Sequence, residues 1–205
     1  QNTEVHLRMT AKAHDEAAAK VLLDAMEKRL RDRVGDYAFG IDDQTLPSVL
    51  LDLLKEKKAT LVVAESITGG LLEASLTDIP GASEVVHGGV VVYTNEMKER
   101  LLKVPAETLE KYTAVSAETA IAMAEGIRAL CGTDYAISTT GEAGPDSQSG
   151  AKVGTVFIGI ASSKSTFSEA IELTGDRDRI RKRSVLAAIN MLRQHLMNHA
   201  SNGVA

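Results

Sequence analysis

The chain has 205 residues, 44% hydrophobic and 25% charged, with a formal net charge of −5. At roughly 150 residues per domain this predicts one medium soluble domain with room for a small appendage, too apolar for disorder and too charged for a membrane protein. The acidic balance and an aromatic content of 3% without Trp argue against electrostatic DNA binding and against a base-stacking surface.

A single cysteine, Cys131, excludes an internal disulfide framework and a Cys-rich zinc site. No apolar run approaches the roughly 18 residues of a membrane span, and no signal peptide is evident. The expectation is a cytoplasmic protein with a small-molecule partner, and no contact with nucleic acid or membrane.

The predicted elements begin with a small β-α-β unit over residues 1–43. Residues 3–10 alternate, with Val5, Leu7 and Met9 on one side, which predicts a strand. Residues 11–34 carry Ala18, Val21, Leu22, Met26, Leu30 and Val34 at helical spacing, and Gly35 is a helix stop. A second short strand is expected over 37–41, and Asp42 and Asp43 mark a turn. Such a unit is short for an independent core.

Residues 44–205 then alternate between helix and strand. Thr45 is a predicted cap for a helix over 46–58. A strand over 60–64, a helix over 68–76, a strand over 88–93 and a helix over 95–103 follow, the last closed by Pro105. Ser116 caps a long helix ending near Leu130, with Gly132 beyond it. Strands are expected over 134–139, 153–160 and 167–173, and a last helix over 178–197. Interleaved strands and helices predict a three-layer α/β/α domain around a central sheet.

In open α/β sheets, sites gather beyond the carboxyl ends of the strands, and three such ends here carry unusual residues. In Ala64-Glu65-Ser66-Ile67-Thr68-Gly69-Gly70 a buried strand breaks into polar residues and two glycines before a helix. Ser66 at that turn suits a nucleophile beside backbone N–H groups, or a phosphate cradle; Ser66 or Thr68 acting only as a helix cap is the plainer alternative. The paired glycines point to a close approach to the backbone.

At the second end, Tyr93 closes a strand, Thr94 or Asn95 caps a helix, and Lys98 falls in its first turn. The helix dipole disfavours a cation there and lowers its pKa, as burial does. A lysine so tuned is a base for a serine; a solvated surface lysine is the alternative. The third end, Ser138 to Asp146, runs hydroxyls into a Gly-rich loop (Thr140, Gly141, Glu142, Gly144) able to bind an anion through its N–H groups, or merely a long surface connection.

The stretch 175–183 adds five cations and two carboxylates to an otherwise acidic chain. Arginine forks suit a phosphate monoester; an exposed, salt-bridged first turn is the alternative. The histidines form no metal-ligand spacing; His195 and His199 read as surface residues.

Together, AESITGG (64–70), GGVVVYTNEMKERLL (88–102), AVSAETAIAMAEGIR (114–128), STTGEAGP (138–145), VGTVFIGIA (153–161) and GDRDRIR (175–181) resemble the CinA C-terminal family, the nicotinamide-nucleotide amidases. The resemblance covers about residues 45–197. The leading unit resembles the last part of the family's KH-like middle domain.

The resemblance implies hydrolysis of the carboxamide of nicotinamide mononucleotide to nicotinic acid mononucleotide and ammonia, with no cofactor and no metal. It implies Ser66 as nucleophile, Lys98 as base and Tyr93 as the residue that orients Lys98 or relays the proton. Thr68, Gly69 and Gly70 would supply oxyanion and substrate contacts, and Thr140, Gly141 and Gly144 would hold the nucleotide. Arg177 or Arg181 would pair with its phosphate. A homo-oligomer, at least a dimer, is also implied. Ile67 and Glu142 depart from the family's usual Cys and small apolar residue. The alternative function is a non-catalytic nucleotide-binding or regulatory module of a competence- and damage-inducible protein.

Overall fold

A computed structural model describes residues 5–201 of the chain. The chain divides into two compact units after Asp43.

The first unit contains helix α1 (Glu16–Val34), capped by the Asp15 carboxylate on the Ala18 N–H and ended at Gly35, where φ is +56°. A 3₁₀ turn, Gly35–Tyr37, follows. The two predicted flanking strands are corrected by the structure. Residues 5–10 and 38–41 form no strand, and residues 3 and 4 lie outside the described residues. Val5 is 88% exposed and Leu7 57%. Alternation makes a strand only where a neighbouring strand takes its hydrogen bonds and a surface covers one face, and neither is supplied among the described residues.

The second unit holds the sheet. Helix α2 (Leu46–Glu56) opens with a reciprocal capping box between Thr45 and Ser48. Then come β1 (Leu61–Glu65), α3 (Leu71–Thr77), β2 (Val86–Val91), α4 (Asn95–Leu102) and α5 (Ala106–Tyr112). The series ends with α6 (Ala117–Cys131), β3 (Tyr135–Gly141), β4 (Thr155–Ser162), β5 (Thr166–Glu172) and α7 (Arg177–Ser201). Thr94 caps α4, Ser116 caps α6, and Gly132 ends α6 in the left-handed region. Helix α5 was not anticipated, because Pro105 reads as a stop yet serves as its N-cap.

The strand order is β2-β1-β3-β4-β5. β1 runs parallel to β2 and β3, β4 pairs antiparallel with β3, and β5 pairs antiparallel with β4. β1 is buried along its whole length, as a central strand covered on both faces requires. Alternation assigns its two faces. Val62 and Ala64 pack with Val92, Leu102, Met123 and Ile127 in the layer of α4, α5 and α6. α2, α3 and α7 form the opposite layer. At Gly126 of α6 a Cβ would overlap the Leu102 carbonyl, so glycine is what lets α6 lie against the end of α4.

β1 feeds α3 in one layer and β2 feeds α4 in the other. Chains departing to opposite faces leave a crevice beyond the carboxyl ends of these two neighbouring strands. No helix among the described residues is long and apolar enough to cross a membrane.

Candidate active site

The alternation that builds the core also aims the polar residues at the strand ends. Glu65 is the last residue of β1 and pairs with Val91 of β2. It follows Ala64, so its side chain turns to the layer of α3. There its carboxylate, 1% exposed, accepts the N–H groups of Gly70 (2.9 Å), Leu72 (3.0 Å) and Glu73 (2.7 Å). A buried carboxylate on the unsatisfied donors of a helix start is a favourable pairing of charge and dipole. Ser66 comes next in the alternation and turns back toward α4. Its N–H still pairs with the Thr139 carbonyl at 2.9 Å, which holds it in register with β3.

Lys98 meets it from β2's side. Thr94 caps α4 by accepting the Met97 N–H, which puts Lys98 in the first turn facing the sheet. The Lys98 side chain is 1% exposed. Its Nζ lies 3.2 Å from Ser66 Oγ and 3.1 Å from the Val92 carbonyl oxygen. Burial without a compensating anion lowers its pKa from 10.5 to about 8.

This pair lies on a cavity of about 810 Å³, within the range of small-molecule sites. Tyr93, Thr140, Gly141, Glu142, Gly144 and Arg177 also line it. Thr140 points to the same layer as Ser66, and its hydroxyl donates to the Ala114 carbonyl. At the exposed rim, Arg177 donates to the Gly144 carbonyl (2.8 Å) and to the Tyr93 hydroxyl (2.9 Å). Tyr93 thus joins Arg177, and no hydrogen bond links it to Lys98 among the described residues. The expected Tyr93–Lys98 contact is replaced because the tyrosine ring, 61% exposed, stands at the mouth while Lys98 lies on the floor.

Thr68, Gly69, Gly70 and Arg181 do not line the cavity. The Thr68 hydroxyl pairs with Thr139 Oγ1 at 2.7 Å, on the α3 side of the sheet. The Gly70 N–H, an expected oxyanion donor, is held by Glu65. Arg181 forks onto two successive carbonyls after Ser66, with Nε to Ile67 O (3.1 Å) and Nη2 to Thr68 O (2.7 Å). A Cβ at Gly69 would stand 3.0 Å from that guanidinium, which gives this glycine a packing reason. Of the two candidate arginines, therefore, Arg177 faces the cavity and Arg181 braces the turn that carries Ser66.

Three features escaped the sequence reading. The cavity wall at Thr113, Ala114 and Val115 follows the unpredicted α5. The capping role of Glu65 was hidden because a carboxylate five residues ahead of its N–H partner matches no local capping pattern. Glu142, whose Oε1 accepts the N–H groups of Gln148 and Ser149, was equally hidden for the same reason. His195, read as a surface residue, instead packs its ring against Tyr135 and Phe167. The side chain of His199 lies outside the described residues.

Residues 43–196 match the model of the CinA C-terminal domain, and residues 1–40 match that of the damage-inducible protein CinA KH domain. The chain belongs to the CinA family. A CinA-like protein of Myxococcus xanthus is 45% identical over 196 residues, covering 95% of this chain and 47% of that protein. A relative from Geobacillus sp. (strain WCH70), named "Putative competence-damage inducible protein", is 52% identical over 182 residues, 88% of this chain and 44% of its own. The chain thus spans about half the length of the relatives it matches. Among solved structures, the CinA superfamily protein of Klebsiella pneumoniae 700603 superposes with a TM-score of 0.73 at 32% identity, covering 75% of this chain and 96% of that one. The competence/damage inducible protein CihA of Agrobacterium tumefaciens gives 0.70 at 34% identity, covering 74% of this chain and 93% of that one.

Proposed function

We propose that this chain is a serine–lysine amidase that hydrolyses the carboxamide of nicotinamide mononucleotide to nicotinic acid mononucleotide and ammonia. The observation that carries this reading is the buried Lys98 amine 3.2 Å from Ser66 Oγ on the floor of a cavity. With a pKa of about 8, a useful fraction of Lys98 is neutral near physiological pH. A neutral amine has two N–H groups and one lone pair. The Val92 carbonyl takes one N–H, and the lone pair is left to accept from the Ser66 hydroxyl.

Ser66 Oγ attacks the carboxamide carbon as its proton passes to Lys98 Nζ. The ammonium so formed sits beside the charge developing on the reacting centre and offsets it in a site of low dielectric. Lys98 then gives the proton to the departing nitrogen, the C–N bond breaks, ammonia leaves and Ser66 is acylated. Water attacks the ester with Nζ again as base. The proton returns from Nζ to Ser66 Oγ as the nicotinic acid product leaves. Arg177 at the rim supplies the guanidinium for the phosphate.

The test is ammonia release from nicotinamide mononucleotide, with nicotinamide riboside and nicotinamide as controls. The expected outcome is turnover of the mononucleotide, reduced about a thousandfold or more in Ser66→Ala and Lys98→Ala. Folded protein that binds the nucleotide and releases no ammonia would replace the amidase by a non-catalytic binding module.

A further inference from the structure

Four residues lining the cavity carry full charges or take one up by titration: Lys98, Glu142, Asp146 and Arg177. With Lys98 neutral, as the proposed mechanism needs, the lining carries two negative charges against one positive. That is a poor match for a ligand that is only an anion. Glu142 is the unexpected member, because it is 5% exposed and yet lies on the cavity wall.

The backbone of Glu142 is held on both sides. Its N–H donates to the Thr155 carbonyl at 2.9 Å, and its carbonyl accepts the Gly154 N–H at 2.8 Å. Its Oε1 accepts the N–H groups of Gln148 (3.0 Å) and Ser149 (2.7 Å), which ties down the loop beyond Pro145. Its Oε2 accepts no hydrogen bond among the described residues and is not sealed from solvent. No cationic side chain among the described residues forms an ion pair with it, and Arg177, on the same wall, donates to Gly144 and Tyr93 instead. A nearly buried carboxylate with one occupied and one open oxygen leaves part of its charge to be met by something that enters the cavity.

We propose that Glu142 forms a subsite for a planar aromatic cation, so that the site selects carboxamides borne on a positively charged ring. The inference rests on the amidase reading for its ligand and goes further by fixing the ligand's charge pattern and direction. A ligand with a cationic ring and an anionic tail matches this cavity one way round, with the ring inward by Glu142 and the phosphate outward by Arg177. The reverse setting would place a phosphate against a rigid buried carboxylate. A delocalised ring cation also needs no hydrogen-bond acceptor of its own, so one open carboxylate oxygen suffices.

The test compares nicotinamide mononucleotide with its 1,4-dihydro form, which has the same carboxamide, ribose and phosphate but an uncharged ring. Equilibrium binding is measured by calorimetry on the full chain carrying Ser66→Ala, and on the same chain with Glu142→Gln added. Glutamine keeps an oxygen for the Gln148 and Ser149 N–H groups and removes only the charge. The expected result is that the Ser66→Ala chain binds the cationic form at least about tenfold tighter than the neutral one, the size of a single partly screened charge pair. Glu142→Gln should remove most of that preference by weakening the cationic form alone.

Equal affinity for the two forms with Glu142 in place overturns the proposal without need of the variant. So does a preference that survives Glu142→Gln, or a loss shared equally by both forms, which would mark Glu142 as a loop anchor only. Binding of neither form also overturns it. Failure of the amidase reading shows separately, as absent ammonia release from the unaltered chain, and leaves the binding comparison intact.

Discussion

At the residue scale the protein holds a lysine in a place that lysine resists. Lys98 is buried, lies in the first turn of α4, and among the described residues its amine bonds a carbonyl and a hydroxyl. Its folded pKa of about 8 is below the unfolded 10.5. The unfolded chain therefore binds more protons between those values, and stability rises with pH across that window. Below pH 8 the full cost of burying the charge is present, about 3 kcal/mol from the two pKa values. Lys98→Met should therefore stabilise the fold at pH 7 by about 1–3 kcal/mol, part of the gain being lost with the Val92 hydrogen bond. The advantage should shrink by pH 9.5, as denaturant titrations at both values will show. The same ionisation controls the proposed base, so kcat/KM should climb through pH 8 to a plateau. A rate that falls over that range contradicts the assignment.

At the scale of elements, one helix face separates two tasks. Arg177 and Arg181 are four residues apart on α7, one turn along the same side. Arg177 reaches the rim, while Arg181 ends on the Ile67 and Thr68 carbonyls. Arg177→Ala should raise KM for the nucleotide about tenfold with a smaller change in kcat, if it supplies the proposed phosphate contact. Arg181→Ala should lower stability by about 2–3 kcal/mol, the loss of two charge-assisted hydrogen bonds, and depress kcat more than KM. Calorimetric unfolding and steady-state rates on both variants separate the two. The sequence offered Arg177 or Arg181 for the phosphate and left the choice open, because spacing along a helix says which side a residue takes and not what lies above it.

At the scale of the whole molecule, every residue lining the cavity lies between Ser66 and Arg177, inside the second compact unit. The Klebsiella pneumoniae relative is matched over 96% of its own chain by 75% of this one, a domain-sized piece. Removal of residues 1–43 should leave kcat/KM for the proposed amidase within about twofold, because no lining residue or helix cap of the site is lost. A larger loss in a folded truncation would assign the first unit a part in the site. The topology makes the pair possible at all. Ser66 and Lys98 are 32 residues apart and meet because β1 and β2 are parallel neighbours whose chains leave to opposite faces.

The sequence by itself determined the alternation of helices and strands in residues 44–205, the caps at Thr45 and Ser116, and the strand ends where polar residues gather. These are local matters, set by periodicity and by the hydrogen-bonding needs of helix starts. It also singled out Ser66, Tyr93, Lys98, Thr140, Gly141, Gly144 and Arg177, all of which the fold brings to one cavity. Tertiary structure alone decided that Tyr93 pairs with Arg177, that Gly70 serves Glu65, that Arg181 braces the Ser66 turn, and that residues 5–10 and 38–41 form no strand. Each of these depends on a partner distant along the chain or missing from beside it. A hydrogen-bonding group is satisfied by whatever the fold places within about 3 Å, and neighbours in sequence do not reveal what that will be.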